Sequence, residues 1–418
     1  MADIDTSDAG DATAIPPTEG FAAPGVTGVT GVPGVTGVPT PPPAPPAPRR
    51  RRRWPWIFGA IVAVLVVTSY VLGQWTVNYY AITPGDATPV APFIDVPANL
   101  DHHLTGTILL TDVYVTQLNA LSYLQNRYLS SDSEVISAAD LLGPSTPEDQ
   151  FVAQGYLEMS QAQSAATAAA LTRLGYGVSA QPDGALVYGI AADSPANKVL
   201  KVAQIITGVN YTKTPSACAL VGALHGLVPG TTAQLQVEHS TISASGSVLP
   251  GPTSEVPITL GTPPKGLVDT GCGSTPIRPT AYLGIDPENQ YNWNFPIKVQ
   301  VHTADIGGPS AGLSMALGIM DKLSGGHLTG NRIVAATGTI DAAGDVGDVG
   351  GVAEKTIAVE RAGATVFFVP PQELAAAKSK DTPQLHVYAV STLDQALRIL
   401  KRLGGKVPAS HLPAQAAP

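Results

Sequence analysis

Ser310 stands in the run "ADIGGPSAGLSM" (304–315), between Pro309 and two small residues, where an apolar helical pattern begins. A serine at such a place has two readings. As a helix cap, its oxygen would accept a bond from a first-turn amide. As a nucleophile, it would attack a carbonyl carbon, and its neighbours suit that chemistry. Pro309 already presets the helix start. Gly307 and Gly308 permit close approach of another backbone, and Ala311 and Gly312 leave space around the hydroxyl. The free N–H groups of a helix N-terminus lie where an acyl oxyanion would form. The backbone from Gly308 through Pro309 to Ala311 is the expected oxyanion cradle.

A serine nucleophile needs a base. His302, His327 and His386 are candidates, but none has a carboxylate at a spacing that would orient it. Lys355, in "GDVGGVAEKTIAVERAG", is the alternative. Its neighbours one helical turn away are Gly351, Val352, Ala358 and Val359, so the lysine can face an apolar wall. Burial there disfavours the ammonium form. Acting near neutral pH requires a pKa lowered by roughly three units. Glu354 projects about 100° around the helix and is assigned to the helix N-terminus. A solvated surface lysine is the competing reading.

The elements that must position these residues follow from pattern. From 281 to 403 the chain alternates strands and helices: "PIKVQVHT", the helix "SAGLSMALGIMDKLSG", "RIVAATGTI", the amphipathic helix "VAEKTIAVERAG", "TVFFVP", "LHVYAV" and the capped helix "STLDQALRILKRL". This is the signature of an α/β domain. Upstream, "GTILLTDVYV" reads as a strand and 117–129 as a helix. A second helix opens at Thr146-Pro147-Glu148-Asp149 and stops at Gly175.

Together these motifs resemble a known family. "GGPSAGLSMALGIMDKL" followed by "LTGNRIVAATGTIDAAGDVGDVGGVAEKTIAVERAGATVFFVP" is similar to the proteolytic domain of the Lon proteases. The resemblance implies Ser310 as nucleophile, Lys355 as general base and Thr337 as the residue that keeps the lysine placed. It also implies a homo-oligomeric ring. Many such domains carry an Asp three residues before the serine. Here that position is Gly307, so an acid in that role is absent or shifted to Asp305.

Residues 175–262 are β-rich with one short helix and resemble a bacterial PDZ domain, notably in "SPA", an apolar strand, a helix and then Pro229-Gly230. A PDZ fold binds an extended peptide along a sheet edge. Two positions depart from the pattern: Ala203-Gln204 stands for the usual Gly-Asp, and Asn210-Tyr211 for the usual Asp-Gly turn. Gly175, Tyr176 and Gly177 are the candidate peptide-binding loop; a helix C-cap is the competing reading.

The remaining chain sets the context. Residues 1–53 form an acidic, Pro/Gly-rich tail ending in Arg49–Arg53, a composition too poor in apolar surface to fold. Residues 54–77 are apolar, with Trp and Tyr at both ends, and read as a transmembrane helix. Arginines before the span place the N-terminus in the cytoplasm and the rest outside it. A cleaved signal peptide fits less well, because the apolar run is long and bulky residues follow it. A stalk (81–100) within the segment 81–174, a linker at 263–280 and a disordered tail at 404–418 complete the expected organisation. The whole is multidomain: one transmembrane helix, a β-rich PDZ-like domain and an α/β (α+β) Lon-type domain. Charged residues are 13% of the chain and net charge is −9, so no basic face calls for nucleic acid.

Asp341, Asp345 and Asp348 in "DAAGDVGDVGG" lack the alternation of a calcium loop. Asp101-His102-His103 has no companion cluster, and no H-E-x-x-H occurs, so neither metal nor other cofactor is expected. No G-x-x-x-x-G-K-[ST] occurs either. Cys218 and Cys272 are the only cysteines, equally compatible with one bridge or two thiols. The expected activity is ATP-independent cleavage of unfolded or tail-presented proteins by a membrane-tethered Ser-Lys endopeptidase. A catalytically silent scaffold and a protease acting on itself are the alternatives.

Overall fold

The computed structural model describes residues 54–143, 146–243, 248–267, 272, 278–303 and 306–409. The N-terminal tail with Arg49–Arg53, Asp305 and residues 410–418 lie outside the described residues. By its contacts the chain divides between Gly59 and Ala60. Helix α1 (Trp54–Gln74) buries no residue, and its 18-residue window of mean hydropathy 2.2 makes it long and apolar enough to cross a membrane.

The segment expected to be a stalk is partly strand. β1 (Thr76–Pro89) runs antiparallel to β2 (Thr107–Asn119). Pro84 and Gly85 looked like linker residues, but they sit at a bulge, where the register slips between Pro84 and Ala87. Gly85 is required by close approach: a Cβ there would fall 2.0 Å from Asp112 Oδ1. After α2 (Ala120–Tyr128), capped reciprocally by Asn119 and Ser122, β3 (Glu134–Ser137) pairs with the other edge of β1. The long helix α3 (Glu148–Arg173) follows, within a residue or two of its expected limits.

Next comes the PDZ-like sheet: β4 (Ser179–Ile190), β5 (Ile205–Val209), α4 (Ala217–Leu224), β6 (Thr232–Glu238), β7 (Thr253–Thr259) and β8 (Ile285–Asn294). Its order is β7–β6–β5–β4–β8, antiparallel throughout. The departures from the family pattern are absorbed by unusual backbone, since Ala203, Asn210 and Tyr211 have φ of +72°, +46° and +66°. The boundary expected near 262–281 moves: 285–294 belongs to this sheet through its pairing with β4, not to the following domain. Of "PIKVQVHT", only Gln300–Val301 pairs, with Ile94–Asp95.

The C-terminal part supplies α5 (Gly312–Leu323), β9 (Ile333–Ala336), the hairpin of β10 (Thr339–Ile340) and β11 (Val346–Gly347), α6 (Val352–Arg361), β12 (Val366–Val369), β13 (His386–Ala389) and α7 (Leu393–Arg402). Strands β9, β12 and β13 are parallel and continue into β2, giving the order β13–β12–β9–β2–β1–β3. A parallel sheet needs cover on both faces. One face carries Leu110, Val334, Ala336 and Phe368 against α3, α5 and α7; the other carries Leu109, Ala335, Phe367 and Val369 against α6. The end of the chain is not wholly loose: Val407 packs on the first of these cores.

Candidate active site

Ser310 lies in a single 3-10 turn, Pro309–Ala311, that leads into α5. No side chain caps either helix start, so Ser310 is not spent as a cap. Gly308 enters the turn with φ +86° and ψ 154°, a backbone that L side chains resist. The loop is clamped on two sides. Gly308 N–H donates to the Gly155 carbonyl of α3 (2.7 Å), and the Ser310 carbonyl accepts from Gly338 N–H (2.9 Å). Gly338 in turn accepts from Leu313 N–H (3.1 Å).

This corrects the oxyanion cradle. The Gly308 amide already has its acceptor in Gly155, and Pro309 has no N–H to give. Among the described residues the amides of Ser310 and Ala311, first-turn groups that lack intrahelical acceptors, meet no backbone acceptor.

Lys355 sits in the first turn of α6. Gly351 caps that helix in the left-handed region at φ +68°, and a Cβ on it would lie 2.9 Å from Val113 Cγ1. The glycine thus lets the helix start press against β2. Lys355 is 2% exposed, and burial lowers its pKa to about 8, against the opposing pull of Asp112 and Glu373. The competing reading of a solvated lysine is excluded. Its Nζ donates to Thr337 Oγ1 (3.3 Å), and Thr337 Oγ1 donates to the Ser310 carbonyl (3.3 Å). Thr337 is fully buried at the end of β9, its own N–H donating to Phe368. One hydroxyl therefore anchors both the amine and the serine loop. Glu354, also buried, has its carboxyl raised by desolvation and bonded to its own amide, as expected of a first-turn acid. The histidines are elsewhere engaged: His302 faces Asp95 (3.4 Å), His327 contacts Thr105 (3.1 Å), and His386 is exposed on β13.

A cavity of about 1310 Å³ opens between α4, α3 and β8, and reaches Pro309 and Ile340 beside the serine. β8 is the edge of its sheet, and no strand among the described residues pairs with its outer backbone. Tyr282, Leu283 and Gly284 lie at the head of this groove. Asn289 Oδ1 accepts from the Ala217 amide (2.9 Å), tying β8 to the start of α4. Cys218 and Cys272 both line the groove and are joined as a disulfide.

Gly175, Tyr176 and Gly177 do not line the groove. They close α3: Gly175 has φ +88°, and Tyr176 N–H returns to Leu171 O (3.0 Å), a helix C-cap. The sequence signal missed was "AYLGI" at 281–285, a glycine-bearing loop directly before an extended run, which a boundary at 281 had assigned to another domain.

A family profile for the Lon protease (S16) C-terminal proteolytic domain matches residues 275–401. The Lon protease of Chloroflexus aggregans is 32% identical over 122 residues, covering 28% of this chain and 15% of that protein. The Lon protease of Clostridioides difficile is 39% identical over 88 residues, covering 21% of this chain and 11% of that protein. The chain thus spans about one seventh of the length of the curated relatives it matches. The PDZ domain of an SdrC-like protein from Listeria monocytogenes has 20% identity and a TM-score of 0.18, covering 25% of this chain and 87% of that one.

Proposed function

We propose that the chain is a membrane-tethered serine endopeptidase acting outside the cytoplasm, with Ser310 as nucleophile and Lys355 as general base. The observation that carries this reading is a buried, desolvated amine sharing one threonine hydroxyl with the serine loop. Neutral Lys355 takes the Ser310 proton as Oγ adds to a peptide carbonyl. The Ser310 and Ala311 amides hold the oxyanion, Lys355 returns the proton to the leaving amine, and water cleaves the ester. No hydrogen bond joins Nζ directly to Ser310 Oγ among the described residues; catalytic contacts of this kind commonly tighten only when substrate binds. Thr337 acts through the lysine as a positioning residue. The β8–α4 groove, in place of 175–177, presents the substrate as an added strand.

The anchor is α1. The Arg49–Arg53 run before it and the Cys218–Cys272 bridge, which belongs in an oxidising compartment, support an extracytoplasmic catalytic part. The absence of a phosphate-loop motif from the sequence supports cleavage without ATP. Ring assembly rests on the family resemblance, and sedimentation of the detergent-solubilised chain tests it.

A serine-reactive acylating probe should modify the wild-type chain at Ser310, and the chain should cleave an unfolded protein with no nucleotide added. Ser310→Ala and Lys355→Ala should each lose both behaviours while still unfolding in a single cooperative transition. Cleavage retained in either variant would end the dyad reading, and intact-mass spectra before and after incubation would separate self-cleavage from cleavage in trans.

A further inference from the structure

The groove beside β8 has a chemical character that its role as a peptide cleft does not require. Glu158, Asp286, Glu288 and Asp341 all line it; among the described residues no lysine or arginine does, and His225 is the one imidazole there. Two of these acids are fixed by neighbours: Glu158 accepts from Tyr188 Oη, and Glu288 accepts from Gln161 Nε2 at 2.8 Å. Along β8 and just past its end the rings of Tyr291, Trp293 and Phe295 form a row, with centroids 5.9 and 5.7 Å apart and the last pair parallel within 5°. Tyr291 and Trp293 face the groove.

Carboxylates beside aromatic faces are the surroundings in which a guanidinium or ammonium group is stabilised, by Coulomb attraction and by the ring quadrupole together. A terminal carboxylate would meet the same acids as like charges. Buried and half-buried acids also repel one another. The desolvated Glu158 carboxyl is held above its ordinary range by burial, and the charge of Glu288 pushes it further up. A bound cation relieves that repulsion.

We propose that this groove takes an internal, extended chain segment bearing arginine or lysine side chains, rather than a free C-terminus. This rests on the reading of the chain as a peptidase that presents its substrate on β8. The acids and aromatic row set the preference for cations. The unpaired edge of β8 supplies backbone hydrogen bonds of any sequence. The end of the groove at Pro309 and Ile340 leads the held segment toward Ser310.

The test uses the full chain carrying Ser310→Ala in detergent micelles, so that binding is read apart from hydrolysis. Fluorescent peptides share one extended, uncharged framework and differ in carrying arginines or glutamates, each with an amide or a free carboxylate end. The arginine peptide should bind about tenfold or more tightly than the glutamate one, with the gap narrowing as salt rises. Amidation should not weaken it. Asp286→Asn with Glu288→Gln should remove most of the preference while leaving affinity for the uncharged framework unchanged. If that pair shifts the melting transition, Asp286→Asn alone serves, with the same direction expected. Equal affinities, a preference for the free carboxylate, or an unchanged preference in the variants would overturn the proposal. Loss of the arginine preference with Ser310 of the wild-type chain still acylated overturns this substrate class alone. A retained preference with no acylation overturns the peptidase reading instead.

Discussion

Lys355 is the residue on which chemistry and stability meet. Its pKa of about 8 in the folded chain lies well below the value of about 10.4 expected when it is solvated. The unfolded chain therefore binds more protons between those values, and stability rises with pH across the window. Below about pH 8 the folded chain carries a charged amine at a cost of roughly 3 kcal/mol. Replacing Lys355 by Met keeps the volume and removes the charge. The variant should be inactive, yet more stable than wild type at pH 7 by up to that amount, with no gain in stability from pH 8 to 10.5. Urea unfolding at several pH values measures this. In the wild type, kcat/KM should rise through a midpoint near pH 8 as the amine loses its proton. A midpoint at the value of an ordinary lysine would remove the base from the mechanism. Ser310 and Lys355 were legible as candidates through the resemblance to the Lon proteolytic domain; their own neighbours, small on one side and apolar on the other, were compatible with that role but left a helix cap and a solvated lysine open. The oxyanion donors were not. Whether Gly308 N–H is free depends on Gly155, on a helix more than a hundred residues upstream.

At the scale of elements, glycines decide how closely the helices at Ser310 and Lys355 approach the sheet. Gly351 and Gly350 are adjacent in the same loop and make a paired test. A Cβ at Gly351 would strike Val113 Cγ1 at 2.9 Å from a left-handed backbone, whereas at Gly350 nothing lies within 4 Å. Gly351→Ala should cost about 1–2 kcal/mol in backbone strain alone and push the start of α6, with Lys355, away from Thr337. Its kcat should fall about tenfold or more, since small misplacements of catalytic groups are costly. Gly350→Ala should melt and turn over as wild type does. Equal effects at both positions would show that the close contact with β2 does not position the lysine. The same contacts explain what the sequence hid. β1 carries Pro84, Gly85 and Pro89, so local pattern describes a linker. Only its pairing with β2, and the need for Gly85 to clear Asp112, makes those residues a bulged strand. α3 was legible from Pro147, its first-turn acids and its small residues, although Pro147 itself stands at the N-cap and no side chain caps the helix; its task, holding Gly308 and walling the groove, was not legible.

At the scale of the molecule, the fold that holds Ser310 and Lys355 is not contained in the segment that matches the Lon profile. That match begins at residue 275, yet the central strand β9 pairs on one side with β2, at Ile333–Thr107, Val334–Ile108 and Ala335–Leu109. β2 in turn pairs with β1, and β1 with β3. The PDZ-like sheet is therefore an insertion between α3 and α5, helices that pack in one core through Met159, Ala166, Met315 and Ile319. A fragment of 275–409 would leave β9 as a bare hydrophobic edge and strip α5 of α3. Both are openings to aggregation rather than to a stable domain. The chain from residue 76 keeps every strand of both sheets, because α1 contributes no buried side chain. The short fragment should show no cooperative melting and no acylation of Ser310, while 76–409 should melt cooperatively and react as the full chain does. Differential scanning calorimetry with probe labelling reads both. A short fragment that melts cooperatively and acylates would mean that the strands from 76 to 137 decorate the active domain instead of forming its centre.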